Sequence, residues 1–424
     1  MLGNYVMKRV RAAITGKYWW FVLLIGVSVI QAAATVRALL RPRPLALDID
    51  AALFQHAGWY ITQGAIPYVH IWDPTPPLSF LVPALLSLLT GGDPLALHVL
   101  SMILTGMVAV AIALLIALLT LELTGIRYAA VIAGYVMFTY VGFYIIPTLG
   151  FHFKHFSLLF GLLGLWLALR GHSILAGLVV AASPAFALTG VIFPLLVLGL
   201  AWERRGRTAM LQAMGGMLLL TVLVLLPIAY WGAVMPMFQQ VIVPRLYVPE
   251  DQSPVVRFER AGRFLALTSL FVIVAVITVI RGLRNKQRYL WWVALGGGYS
   301  AALVLAIDFD NYPDLFSGLV FVALAVGIFA AQATPRVRHM LLVMLLCALI
   351  LNPVIRHVTR PDRESSPDVT QIREVNGHRL LPLQIMYWNK IKPETCHYRL
   401  SHTELGWLKL MEKRGTEEDC HGIP

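Results

Sequence analysis

Residues 47–78 read LDIDAALFQHAGWYITQGAIPYVHIWDPTPPL and follow the first long apolar run of the chain. The stretch contains the aspartates Asp48, Asp50 and Asp73, two histidines and a proline-rich end. Carboxylates beside a membrane are costly unless they function or stay hydrated. We therefore expect this segment to be a surface loop that carries the chemistry of the protein.

The composition predicts a membrane protein. The chain has 424 residues, of which 58% are hydrophobic and 13% are charged, whereas a soluble domain carries about a quarter charged residues. Since a span needs roughly 20 apolar residues, the apolar runs predict an all-α polytopic bundle of about 11 transmembrane helices. The net charge of +12 does not indicate nucleic-acid binding, because basic residues in short cytoplasmic loops set membrane orientation.

Charge places the two ends of the chain. Basic residues between Lys8 and Lys17 precede the first span, which predicts a cytoplasmic N-terminus in an inner or plasma membrane. Residues 1–353 would form the membrane domain, with a first outer loop at about 41–97. Within that loop, residues 76–89 would lie at or dip into the outer surface, with a second crossing as the alternative. The polar tail, 354–424, would be a small extracytoplasmic region.

Three cysteines carry little information. Cys347 lies in an apolar run and is expected to be packed. Cys396 and Cys420 lie in the tail, where an oxidising compartment would permit a disulfide between them. Two unpaired thiols are the alternative, and the residues leave both open.

The pair Asp48 and Asp50 could supply a general base or bind a divalent cation such as Mg²⁺ or Mn²⁺. The alternative is that both are solvated loop carboxylates without a catalytic role. Apolar residues at helical spacing predict an interfacial helix over residues 53–61. Aromatic and polar side chains around it could contact a sugar, or could only anchor the loop at the interface. The candidates for sugar or acceptor binding are His56, Tyr60, Tyr68, His70, Trp72 and Asp73.

Several basic residues are predicted on the outer side, against the usual preference of lysine and arginine for cytoplasmic loops. A cationic cluster after the third span could bind a phosphate. The alternative is that its lysine only extends toward the lipid headgroups. Its two histidines could also ligate a metal, but no clear third ligand accompanies them. Outer-loop arginines suit a phosphate lipid head, with attraction to the lipid surface as the alternative. The aspartates of a later outer loop could bind acceptor hydroxyls or be structural. The cluster after the third span consists of His152, Lys154 and His155. The outer-loop arginines are Arg245, Arg257, Arg260 and Arg263, and the later aspartates are Asp308 and Asp310.

The first loop resembles that of GT-C glycosyltransferases, the superfamily of protein O-mannosyltransferases and the lipid A aminoarabinose transferase. The matching residues are Asp48 and Asp50, then Gly64-Ala-Ile-Pro67-Tyr68, then Trp72-Asp73-Pro74-Thr75-Pro76-Pro77. The resemblance implies a polyprenyl-phosphate sugar donor, a lipid, glycan or protein acceptor, an outer-face active site and Asp50 as the base, usually with inversion. Thr75 replaces a lysine of one branch, and Ala51 occupies the second position of an acidic pair.

A protein that moves or binds lipid-linked glycans without transferring a sugar is the alternative: a flippase, a transporter or a polymerase component. Such carriers often place polar residues in mid-span and repeat their halves. Here the spans are nearly free of charge, no repeat stands out, and the polar residues cluster in outer loops. The pattern favours an outer-face enzyme.

Overall fold

The computed structural model describes residues 18–40, 48–243, 254–285, 287, 290–306, 315–359, 373–375, 378–380 and 383–390. Over this part of the chain the fold is a helical bundle with one short β-hairpin. The first half contains α1 (Trp19–Leu39), α2 (Ile49–Thr62), α3 (Leu78–Leu89), α4 (Pro94–Thr124), α5 (Arg127–Thr139), α6 (Val141–Ile145), the 3₁₀ turn Ile146–Leu149, α7 (Phe153–Arg170), α8 (Ser173–Val180) and α9 (Ala182–Phe186).

The second half begins with the 3₁₀ turn Leu188–Val191 and ends with a short helix in the tail. Its helices are α10 (Ile192–Tyr230), α11 (Val234–Val241), α12 (Pro254–Arg284), α13 (Trp291–Ala306), α14 (Phe316–Gln332), α15 (Pro335–Thr359) and α16 (Leu383–Asn389). The strands β1 (Arg373–Val375) and β2 (His378–Leu380) pair antiparallel.

Hydropathy and length confirm an all-α polytopic membrane protein. Five of the described helices are long and apolar enough to cross a membrane, or six if the pair Arg127–Thr139 and Val141–Leu149, bent by 79°, counts as one span. The stretch Leu188–Tyr230 would be about 65 Å long as one helix, twice the apolar thickness of a bilayer. Gly206 interrupts it with the non-helical φ of 78°, so two segments meet there. The total of 11 spans stays a prediction.

The first loop folds onto the bundle as two short helices. Helix α3 has 12 residues and is about 18 Å long, shorter than the apolar thickness of a bilayer, which favours a position at the outer surface over a second crossing. Helix α2 confirms the predicted helix, but it is more enclosed than an interfacial one. Helices α3 and α16 pack against it, and most of its residues from Ala51 to Tyr60 are buried.

The centre of the bundle is apolar. Helix α14 is buried along nearly its whole length, against α4, α5, α12 and α13. Phenylalanine rings connect this centre to the first loop: Phe54 and Phe153 have centroids 4.8 Å apart, and Phe143 and Phe316 5.4 Å. The packing fixes the loop helices against the spans.

The two ends of the bundle carry different residues. At one end, Arg170 forms an ion pair with Glu122 at 3.1 Å, and Arg338 lies over the ring of Tyr128, 4.5 Å from its centroid. These contacts join the ends of α4 and α7 and the starts of α5 and α15. The start of α4, the start of α7 and the first loop lie together at the other end. Charged side chains of α4, α7 and α15 therefore lie at the end of the bundle opposite the first loop.

Candidate active site

The two aspartates at the start of α2 have different surroundings. Asp48 is the N-cap of the helix, and its Oδ2 accepts a hydrogen bond from the backbone N–H of Asp50 at 3.2 Å. Such a cap is worth about 1 kcal/mol of helix stability. Asp50 lies in the first turn and is half-buried. One carboxylate therefore caps the helix, and the other lies two residues further on, in the first turn.

The acidic turn lies directly beside the loop that precedes α7. The backbone N–H of Asp48 donates to the carbonyl of Leu149 at 3.4 Å. Gly150 has a φ of 121°, and a Cβ there would collide with the side chains of Gln55 and Ala51, so only glycine allows this approach. The structure thus brings Asp48 and Asp50 to the segment that contains Lys154.

The two histidines of that segment form a buried pair. Their Nδ1 atoms are 3.1 Å apart, and Nε2 of His155 lies 3.0 Å from the carbonyl oxygen of Phe143. Since a carbonyl only accepts, Nε2 of His155 carries a proton, and its Nδ1 accepts the proton of His152 Nδ1. Burial, with His155 and Lys154 adding, holds the pKa of His152 well below its usual range. His152 is therefore neutral at pH 7.

Lys154 supplies the positive charge of this cluster. It is half-buried, with its Nζ 5.5 Å from the ring centroid of Phe153. An ammonium beside hydroxyls can hold phosphate or sugar oxygens. Lys154 lies at a pocket whose other lining residues are Ser157, Leu158, Thr189, Gly190, Phe193 and Ser317.

The proline-rich part of the first loop is closed by hydrogen bonds. Asp73 is fully buried, and its Oδ1 accepts from both the N–H and the hydroxyl of Thr75, at 2.9 and 2.6 Å. The hydroxyl of Tyr68 donates to the carbonyl of Thr75 at 2.8 Å; burial, with Asp73 adding, raises the pKa of Tyr68. The backbone N–H of Ile66 donates to Nδ1 of His70 at 2.8 Å. The loop is a preformed unit.

Thr75, which replaces a lysine of one GT-C branch, is part of this unit. Thr75 supplies no charge. Among the described residues, Lys154 is the candidate cation, because it follows the segment that Asp48 contacts at Leu149. His56, Tyr60 and Trp72 are also buried, and the ring of His56 packs 5.4 Å from that of Trp59. Their predicted contact with a sugar stays a prediction.

Two residues of the site were missed by sequence reasoning. Gln240, on α11, bonds to the loop backbone at Tyr68 and Asp73. Tyr387, on α16, donates to Oε1 of Gln55 and to the carbonyl of Pro94. A lone glutamine and a tail tyrosine give no motif; only the aromatic character of the tail pointed to a packed segment.

Other predicted residues lie outside the described structure in whole or in part. Helix α12 includes the positions of Arg257, Arg260 and Arg263; these arginines therefore lie in a helix and not in an open outer loop, while their side chains are not described. The described residues do not include Arg245, Asp308, Asp310, Cys396 or Cys420. Cys347 is exposed on α15, so the expectation that it is packed is wrong. In the part of the chain that is described, no three His, Cys, Asp or Glu side chains gather closely enough to hold a metal ion.

The protein is a polytopic helical bundle whose acidic first loop contacts the segment that precedes Lys154 and its hydroxyl-lined pocket. Comparison with known proteins defines it further. A family model described as DolP-mannose mannosyltransferase matches residues 64–226. The chain is also similar to a dolichol phosphate-mannose mannosyltransferase of Haloferax volcanii, with 28% identity over 91% of this chain and 93% of the relative. Both matches support the resemblance to GT-C-type glycosyltransferases that use a polyprenyl-phosphate sugar donor.

Proposed function

We propose that this protein transfers a mannosyl residue from a polyprenyl-phosphate donor to a hydroxyl of a lipid, glycan or protein acceptor on the extracytoplasmic face of the membrane. The family and the relative support the donor class and the sugar. The observation that supports the assignment of the base is the position of the two acids on α2: Asp48 is the N-cap, and Asp50 is the half-buried acid of the first turn.

In this proposal Asp50 takes the proton of the acceptor hydroxyl as the new bond forms between the acceptor oxygen and C1 of the sugar. The bond from C1 to the phosphate oxygen breaks, the configuration at C1 inverts, and polyprenyl phosphate leaves. Preorganised positive charge stabilises the developing negative charge on the leaving group. Lys154 supplies that charge, with Arg245, Arg257, Arg260 and Arg263 as further candidates, and the neutral His152 and His155 fix the segment around it.

The remaining candidates surround the sugar and the acceptor. His70, Trp72 and Tyr68 line the closed loop, His56 and Tyr60 lie on α2, and Asp308 and Asp310 belong to a later outer loop. A divalent cation, Mg²⁺ or Mn²⁺, would assist the phosphate if it binds there, and transfer measured with and without EDTA decides this. Sidedness follows from the charges: a cytoplasmic N-terminus places Asp50 and the tail outside.

The variants Asp50→Asn and Asp48→Asn test the base. Asparagine caps a helix as well as aspartate does, so both proteins should fold. General-base assistance contributes about 10²–10⁴-fold, and we expect a loss of that size in transfer from polyprenyl-phosphate mannose for Asp50→Asn only. An inactive Asp48→Asn with an active Asp50→Asn would move the base by two positions. Full activity in both, with unfolding temperatures unchanged, would contradict the general-base assignment.

A further inference from the structure

Gln240 joins two distant parts of the chain. Its Nε2 donates to the carbonyl oxygen of Tyr68 at 2.6 Å, and its Oε1 accepts from the backbone N–H of Asp73 at 3.3 Å. The side chain is 8% exposed. Both ends of one buried amide are thus used on the backbone of the proline-rich loop, 172 and 167 positions earlier in the chain.

The segment that Gln240 holds is under backbone strain. Tyr68 has a φ of 68°, a left-handed conformation that costs a residue with a Cβ about 1–2 kcal/mol. Such a conformation persists where surrounding contacts determine it. The contacts around Tyr68 are its N–H bond to the carbonyl of Ile71 at 2.9 Å, its hydroxyl bond to Thr75, and the bond from Gln240 to its carbonyl.

The chemistry of the amide is specific at this position. The carbonyl of Tyr68 needs a donor and the N–H of Asp73 needs an acceptor, and the uncharged amide of Gln240 offers both from one planar group at neutral pH. Methionine, of similar length, would leave the carbonyl of Tyr68 and the N–H of Asp73 without this partner. Glutamate at neutral pH would keep the acceptor but would turn a negative oxygen toward the carbonyl of Tyr68.

The position of helix α11 in the chain connects this contact to the proposed site. It follows the second segment of α10 directly and precedes the part of the chain that holds Arg245, Arg257, Arg260 and Arg263, the candidates for the donor phosphate. The loop at Tyr68 and Asp73 belongs to the segment that begins with Asp50. Gln240 is therefore a direct hydrogen-bonded tie between the acidic loop and the chain leading to the arginines.

We propose that Gln240 is a positioning residue for sugar transfer: its amide holds the proline-rich loop in register with α11, so that the base and the leaving phosphate are correctly placed relative to each other. The inference rests on the proposed function. It predicts an effect on turnover rather than on donor binding, because each half of the site stays intact when the tie is lost. Small misplacements of reacting groups cost up to about 10²-fold.

The test compares Gln240→Met with Gln31→Met. Gln31 is also buried and also donates to a distant backbone carbonyl, that of Tyr144 at 3.1 Å, but it lies on α1. We expect Gln240→Met to lower kcat about tenfold or more while KM for polyprenyl-phosphate mannose changes little. We expect Gln31→Met to lower the unfolding temperature without a comparable change in kcat. Equal loss of kcat in the two variants, in proportion to lost stability, would overturn the proposal.

Gln240→Glu adds a test within a single protein. A buried carboxyl is protonated more readily than an exposed one, and its protonated form can donate to the carbonyl of Tyr68. Relative to wild type, kcat of Gln240→Glu should therefore recover as the pH falls from 8 to 5.5. A ratio that does not change with pH would contradict the role of the donated hydrogen bond. If Asp50→Asn and Asp48→Asn are both fully active, the proposed base fails instead, whatever the Gln240 variants do.

Discussion

At the scale of single residues, the carboxylate of Asp73 stabilises its own turn. Its Oδ1 receives two hydrogen bonds from Thr75, and its N–H is held by Gln240. The sequence indicated an acid in a proline-rich loop and favoured a sugar ligand. It could not show that a threonine two positions on would occupy one carboxylate oxygen, since the same residues in an open loop would leave that oxygen to solvent.

The pair Asp73→Asn and Asp73→Ala separates the two roles. Asparagine keeps an oxygen that can accept from Thr75, so we expect an unfolding temperature and transfer rate close to wild type. Alanine leaves buried donors unsatisfied, which costs about 1–3 kcal/mol, and should lower both. Thermal unfolding in detergent and the transfer assay measure the effects. A stable but inactive Asp73→Asn would show that the carboxylate contacts the substrate.

At the scale of helices, the long apolar runs were predictable and their interruptions were not. Hydropathy placed spans in the regions of α1, α4 and α7, because about 20 apolar residues suffice to indicate a crossing. The 79° bend between α5 and α6 and the small offsets of helix ends depend on the neighbours against which each segment packs. Hydropathy also could not show that α2 is enclosed, because α16 comes from a polar tail.

Adjacent glycines of α10 test the packing of its second segment against α8. A Cβ on Gly216 would collide with the backbone of Ile174 and Leu178, while a Cβ on Gly215 meets no atom within 4 Å. Gly216→Ala should therefore lower the unfolding temperature clearly, since backbone cannot move aside as a side-chain tip can. Gly215→Ala is the matched control: alanine favours a helix by up to about 1 kcal/mol, so it should be neutral or slightly stabilising. Equal effects in both would contradict the close approach of the two helices.

At the scale of the whole molecule, the structure separates two chemically different ends. One end gathers the ion pair of Glu122 with Arg170, the hydrogen bond from Trp291 to Glu203 at 2.6 Å, and the stacking of Arg338 on Tyr128. The other gathers the first loop, α11 and α16. From the sequence, one can expect only that short basic loops favour the cytoplasm; the contacts between the loops required the fold.

Cysteine labelling tests the sidedness. In a variant with Cys347, Cys396 and Cys420 replaced by serine, single cysteines at the exposed positions Gln63 and Lys390 should react with a membrane-impermeant maleimide in intact cells. A cysteine at the exposed position Arg204 should react only after permeabilisation. Labelling of Arg204→Cys in intact cells, with Gln63→Cys protected, would invert the orientation and place the transfer on the cytoplasmic face.

The docking of α16 has a consequence for how the enzyme is made. Tyr387 reaches Gln55 and Pro94, and the ring of Trp388 packs 5.5 Å from that of His98; burial, with Asp93 adding, raises the pKa of Tyr387, so its hydroxyl stays a donor. Synthesis proceeds from the N-terminus, so α2 enters the membrane surface long before its last neighbour exists. Helix α2 therefore gains the contact of Tyr387 with Gln55 only after a further 332 residues have been synthesised, which delays its final packing until the spans between them exist.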